Sequence, residues 1–336
     1  MIEVKHLTKR YGNHLAVDDL SFSIDKGVIY GFLGPNGAGK STTMNIITGC
    51  LGASAGEVTV DGHSIQEEPG AAKAKIGYLP ELPPLYQDMT PNEYLRFVAE
   101  AKGVPKAEIK KQLRTVMERT RIEEIGDRLI RNLSKGYRQR VGIAQALLGN
   151  PDVIILDEPT VGLDPRQIIE IRELIRSLAA GHTVILSSHI LSEVQAVCDT
   201  ILIISKGRLV ACDTPENLEK LFAASGAVEL TAEADRPRVQ AVLDGIEDLP
   251  QAEFSLQEDD RCTLKLQTEK GDTDGLCRKL FFAFAAAQIP LLQLTSARAS
   301  LEDVFLELTA AEPESPAEEP QADEAENPAE SEATEE

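Results

Sequence analysis

Tryptophan is absent from this sequence, and Phe and Tyr bring the aromatic share to only 4% of 336 residues. A base-stacking surface for single-stranded nucleic acid is therefore not expected. Basic residues are also scarce. Lys and Arg number 34 against 55 Asp and Glu, a formal net charge of -21, which disfavours any general affinity for polyanions and argues for no nucleic acid partner. Long apolar runs are missing too. The most apolar segment, "LFFAFAAAQIPLL" (280–292), is too short to span a bilayer, and "MIEVKHLTKR" lacks the apolar stretch of a signal peptide. The chain reads as cytoplasmic. Its five cysteines (Cys50, Cys198, Cys212, Cys262, Cys277) show no metal-ligand spacing and are expected as buried small apolar residues.

What is present suggests two folded units and a tail. Residues 2–63 alternate apolar and polar positions between Gly, Asn and Asp breaks, the pattern of short strands and hairpins. "VIYGFL" (28–33), "VIILD" (153–157) and "TVILSS" (183–188) are apolar without alternation, as in strands buried on both faces of a parallel sheet. "DPRQIIEIRELIRSLAA" between the last two is helical by period. This alternation predicts an α/β domain with a mainly parallel sheet. Residues about 90–150 carry no strand signal and predict an inserted helical lobe, and "ILIISKGRLV" (201–210) a hairpin turned at Lys206-Gly207. Beyond about residue 220 the order strand, helix, strand, strand, helix, strand predicts a small ferredoxin-like α+β domain to about residue 310. A short helix is expected in "SLEDVFLELT" (300–309). From Glu312 to the end there are eleven acidic residues and no Lys or Arg, leaving -10 for the rest, and residues 311–336 read as a disordered acidic tail.

"GPNGAGKS" (34–41) fits G-x-x-x-x-G-K-[ST] between an apolar strand and a helix-forming stretch. Glycines let several N–H groups point at phosphates where a helix begins. Lys40 can reach the outer phosphates and the Ser41 hydroxyl can ligate magnesium. Asp157 ends a buried strand, where ligands of open α/β sheets sit, and can hold the magnesium shell. Glu158 can then act as general base toward water. His189 ends the next strand. Such a histidine can be structural or solvent-facing, or beside a γ-phosphate it can orient the attacking water. "LSKGYRQR" (133–140) can be a helix start capped by Ser134, or a phosphate-reading element.

Together these segments resemble the ATP-binding-cassette (ABC) ATPases over residues 1–220, on "GPNGAGKST", "LSKGYRQR", "ILDEP", "GLDP" (162–165) and His189. The resemblance implies a P-loop NTPase ABC cassette: a mainly parallel sheet, an N-terminal antiparallel β subdomain and an inserted helical lobe. It implies ATP contacts from Val17, Gly34, Pro35, Asn36, Gly37, Ala38, Gly39, Lys40, Ser41 and Thr42, with Tyr11 stacked on adenine. Two cassettes, as a homodimer or a heterodimer, would meet head to tail, with Ser134 and Gly136 closing on the other copy's ATP and Asp164 at the seam.

Two departures set a subgroup. The usual LSGGQ has Lys135 and Tyr137 here, and Glu81 in "IGYLPE" stands where a magnesium-contacting glutamine is usual. Both resemble bacterial exporter cassettes of the drug, polysaccharide and gliding-motility types, whose membrane permease is a separate chain. Magnesium would then meet Ser41, Asp157 and Glu81, and the chain would sit peripherally on the cytoplasmic face of the membrane. A soluble cassette acting on ribosomes or DNA fits less well. There is one copy of each motif, and 117 positions between Lys40 and Asp157 leave no room for a long coiled coil. A cassette that binds ATP without turnover is disfavoured by the presence of both Glu158 and His189. No residue identifies the cargo.

Overall fold

A computed structural model of the chain describes residues 1–222, 226–246, 249–258, 261–268, 273–298 and 305. Alternating residues near the N-terminus form β1 (Ile2–Tyr11), which buries Ile2, Val4 and Leu7. It pairs antiparallel with β2 (His14–Ile24) and β4 (Ala55–Val60), and β5 (His63–Ser64) completes the sheet in the order β2-β1-β4-β5.

The apolar runs without alternation build a second sheet, because side chains of both parities find apolar cover. In it β3 (Ile29–Leu33), β6 (Ile76–Leu79), β7 (Val153–Asp157), β8 (Thr183–Ser188) and β9 (Thr200–Ser205) run parallel, and β10 (Arg208–Asp213) folds back on β9. The order is β10-β9-β3-β8-β7-β6. Every residue of β3, β7 and β8 is buried. The β9–β10 turn falls at Lys206 and Gly207, both with positive φ, as a two-residue hairpin turn of the primed type requires.

One apolar core joins the antiparallel sheet and α1 (Lys40–Ile47) to one face of the parallel sheet, through Val4, Leu20, Met44, Ile155 and Leu202. The other face packs against helices. Helix α2 (Pro69–Ala74) precedes β6, and between β6 and β7 lie α3 (Pro91–Ala101), α4 (Lys106–Thr120) and α5 (Lys135–Leu147), the expected helical insertion. Their Leu95, Leu113, Val141 and Ile143 share a core with α6 (Pro165–Leu178), α7 (Leu191–Val197) and Leu218 of α8 (Pro215–Phe222). The end of α5 is anchored from outside: Lys102 Nζ donates to the carbonyls of Gln145, Ala146 and Leu148 at 3.0, 3.3 and 2.9 Å. A cation there also complements the helix dipole.

Helix α7 approaches β3 closely because position 31 is glycine. A Cβ on Gly31 would lie 2.1 Å from Val194 Cγ1 and 2.9 Å from Cys198 Sγ. Gly31→Ala is expected to destabilise the fold by about 1–3 kcal/mol through overpacking, read as a lower urea midpoint at unchanged slope. An unshifted midpoint would mean that α7 moves away freely.

The third sheet, β12-β13-β11-β14, is antiparallel throughout and consists of β11 (Gly226–Ala232), β12 (Ala252–Glu258), β13 (Arg261–Thr268) and β14 (Leu291–Arg298). With α9 (Arg236–Leu243) and α10 (Thr273–Ala286) it has the element order expected of a ferredoxin-like unit, around Leu230, Val239, Leu264, Leu280 and Phe284. The helix expected over 300–309 lies outside the described residues apart from Phe305, which packs on the helical-lobe core, and the acidic tail lies outside them too. Of the cysteines expected to be buried, Cys198 and Cys262 are. Cys50 and Cys212 are exposed, since Cys50 follows α1 into a loop and Cys212 lies on the edge strand β10.

Candidate functional site

Strand β3 ends at Leu33, and the chain needs six residues to turn into α1. Gly37 and Gly39 take φ of 80° and 99° in that turn. A Cβ at Gly39 would also lie 2.5 Å from the Ala16 carbonyl oxygen, so no other residue fits there. Gly39 is the N-cap of α1 and offers no side-chain acceptor, which leaves the N–H groups of the first turn directed outward for an anion. Lys40 is buried. Its Nζ donates to the Gly34 and Pro35 carbonyls at 2.7 and 3.2 Å and lies 3.8 Å from Glu158 Oε1. Burial lowers the Lys40 pKa, with Glu158 and Asp157 opposing.

At the end of β7, Asp157 is 2% exposed and accepts hydrogen bonds from Ser187 Oγ of β8 and, at 3.4 Å, from Ser41 Oγ. The next residue, Glu158, adopts φ of 47°, a left-handed conformation costing about 1–3 kcal/mol for a non-glycine residue. The β8 end holds it there, since the Glu158 N–H meets Ser187 Oγ at 3.1 Å and the Ser187 carbonyl at 3.2 Å. The resulting turn aims the carboxylate at His189, whose Nδ1 lies 2.9 Å from Glu158 Oε2. Burial raises the Glu158 pKa, opposed by His189 and Lys40.

Lys40, Glu158 and His189 wall an open cleft of about 360 Å³, with Tyr11, Asn36, Gly37, Gly39, Ser41, Thr42 and Glu81 also lining it, whereas Asp157 reaches it only through its contact with Ser41. Tyr11 is 48% exposed at the tip of β1, with the Lys9 ammonium 5.2 Å from its ring centroid. Val17 does not face the cleft: it is fully buried, and the neighbouring Ala16 lines it instead. Gly34, Pro35 and Ala38 shape the loop without lining the cleft. His14, absent from the residues singled out in the sequence, joins the lining because the β1–β2 hairpin brings it beside Tyr11.

The remaining predicted residues gather elsewhere. Ser134 is the N-cap of α5 and accepts from the Tyr137 N–H at 3.3 Å. Asp164 is the N-cap of α6 and accepts from the Gln167 N–H at 3.0 Å. The two helix starts abut: a Cβ on Gly136 would lie 2.7 Å from the Gln167 side chain, and one on Gly162 would lie 2.2 Å from Lys135 Nζ. Arg140 fixes α5 from within, donating to the Thr120 carbonyl at 3.1 Å and to Glu170 Oε2 at 2.6 Å. Ser134, Gly136, Tyr137 and Asp164 line a second cleft of about 470 Å³. Among the described residues, none lines both clefts.

Comparison with known proteins follows the same lines. The family model described as "ABC transporter" matches residues 17–161. A Nod factor export ATP-binding protein I of Ralstonia nicotianae is 34% identical over 320 residues, covering 93% of this chain and 94% of that protein. The linearmycin resistance ATP-binding protein LnrL of Bacillus subtilis is 34% identical over 311 residues, covering 92% and 98%. Among solved structures, a dimeric ATP-binding cassette in a post-hydrolysis state with ADP and Pi superposes with a TM-score of 0.58 at 26% identity, covering 64% of this chain and 98% of that one. Among the described residues, no helix is long and apolar enough to cross a membrane.

Proposed function

The chain belongs to the ATP-binding proteins of ABC transporters, a family that hydrolyses ATP, and from that premise we propose that it drives export through a permease on a separate chain. Two copies, or this chain and a second cassette, meet head to tail, so that ATP lies between the P-loop cleft of one and the Ser134 cleft of the other. One observation carries this reading. Among the described residues the two clefts share no lining residue, which supports reading them as half-sites to be completed by different subunits. In this reading residues 1–220 are the motor, 221–310 an accessory domain and 311–336 an acidic tail, on the cytoplasmic face of the membrane.

In the P-loop cleft, the N–H groups opening α1 and the Lys40 ammonium bind the phosphates. Tyr11 supplies a face for the adenine. The oxygen donors Ser41, Asp157 and Glu81 suit Mg²⁺, which takes one or two carboxylates together with substrate phosphates, and the 3.4 Å contact between Ser41 and Asp157 puts two of them side by side. When bound, Mg²⁺ neutralises charge developing on the phosphates. Glu158 accepts the proton of the attacking water, and His189 holds the Glu158 carboxylate in position through its Nδ1. In trans, Ser134 and the N–H groups starting α5 complete the enclosure of the γ-phosphate.

Because a base must be ionised, acidification should lower kcat. Since burial raises the Glu158 pKa, that fall should begin above the ordinary carboxylate range near about 4.3. A pH profile of phosphate release checks it, and a kcat that stays level down to that range would remove Glu158 from the base role. The transport reading is tested by purification from native membranes: an integral membrane protein should co-purify with the chain. Recovery of the chain with no such partner would count against export.

A further inference from the structure

We propose that Glu193 is a positioning residue that ties the loop carrying Asp164 to the strand end carrying His189. The inference rests on the catalytic reading above. Glu193 lies in the first turn of α7 and is 4% exposed. One of its carboxylate oxygens, Oε2, accepts from two hydroxyls that belong to different segments: Thr160 Oγ1, and Ser188 Oγ at 3.2 Å. A carboxylate withdrawn from water is costly unless it is hydrogen-bonded, and here both donors come from the catalytic loops.

Each donor is wired onward. Thr160 is buried, and its carbonyl accepts from the Leu163 N–H at 3.2 Å, while the Val161 N–H donates to the Glu158 carbonyl at 3.3 Å. Those turns run from Glu158 directly to Asp164, the N-cap of α6. On the other side, Ser188 precedes His189, and its Oγ accepts from the Ile190 N–H at 3.0 Å, which fixes the turn that presents the imidazole. Glu193 itself stands on a fixed support. Val194 is packed on Gly31 of the central strand β3, and the Arg176 guanidinium of α6 donates to the Ala196 carbonyl. A displacement of the Asp164 loop by an approaching second subunit therefore reaches the His189 turn through one carboxylate oxygen. Glu193 does not line the cleft, so its effect on turnover is indirect.

Glu193→Leu removes the acceptor while keeping apolar bulk. Its kcat should fall about ten- to a hundredfold by misplacing the catalytic pair, with ATP affinity for the P-loop cleft within about twofold of wild type. Glu193→Gln should restore most of the rate, because a single amide oxygen can accept both hydroxyls. Thr160→Val should also slow turnover, and combined with Glu193→Leu it should add nothing, as expected for residues acting through one contact. A kcat for Glu193→Leu close to wild type, a parallel loss of ATP binding, or additive effects of the two substitutions would each overturn the proposal. A wild-type protein without ATPase activity would instead overturn the catalytic reading on which it rests.

Discussion

Replacing Glu158 with glutamine is expected to lower ATP turnover by about 10²–10⁴-fold, the usual contribution of a positioned general base. The substitution keeps size and shape, so the left-handed turn at φ 47° and its bonds to Ser187 should persist. What is lost is the capacity to take a proton, since an amide oxygen is a far weaker base than a carboxylate. Lys40 should remain in place, because its bonds run to the Gly34 and Pro35 carbonyls and its approach to Glu158 is the longer contact at 3.8 Å. ATP affinity should therefore hold or rise, because removing a buried negative charge next to the phosphates relieves repulsion. Phosphate-release kinetics paired with calorimetric ATP binding checks both halves. Wild-type turnover in this variant would show that another group accepts the proton.

Ser134→Arg is expected to abolish turnover to a comparable extent while ATP binding to the single subunit stays within about twofold of wild type, since the substitution lies in a cleft separate from the P-loop. Arginine there adds bulk where the second subunit's γ-phosphate must approach the start of α5. Ser134 also caps α5, and losing the cap alone costs about 0.5–2 kcal/mol. Ser134→Ala separates the two effects. It should share the loss of stability in urea but retain much more of the turnover. If Ser134→Arg lost ATP binding with its fold intact, the clefts would not be independent half-sites.

The parts of this molecule legible in its sequence are those fixed by local pattern. The P-loop is contiguous, and the constraints on Gly37 and Gly39 act within a few residues. The runs at β3, β7 and β8 are apolar throughout because both their faces are covered, which also marks where Asp157 and His189 must emerge. The α5 cap is visible as Ser134 before a periodic stretch. Other features depend on contacts between distant segments. Whether Ala16 or Val17 faces the cleft is decided by the strand register of β2, and an offset of one residue exchanges the two. His14 reaches the cleft only through hairpin pairing. Ser187 and Ser188 read as ordinary ends of a buried strand, yet one holds Asp157 and Glu158 and the other meets Glu193. Lys135 marks a subgroup in the sequence, and only the fold brings its ammonium over Gly162.

The central claim is that ATP joins two half-sites from two subunits. Light scattering on Glu158→Gln, which should hold ATP without consuming it, tests this most directly. With ATP and Mg²⁺ the particle mass should double relative to the nucleotide-free protein, and the doubling should vanish when Ser134→Arg is added. A mass of one chain with ATP bound, or a dimer indifferent to both ATP and Ser134, would contradict the account.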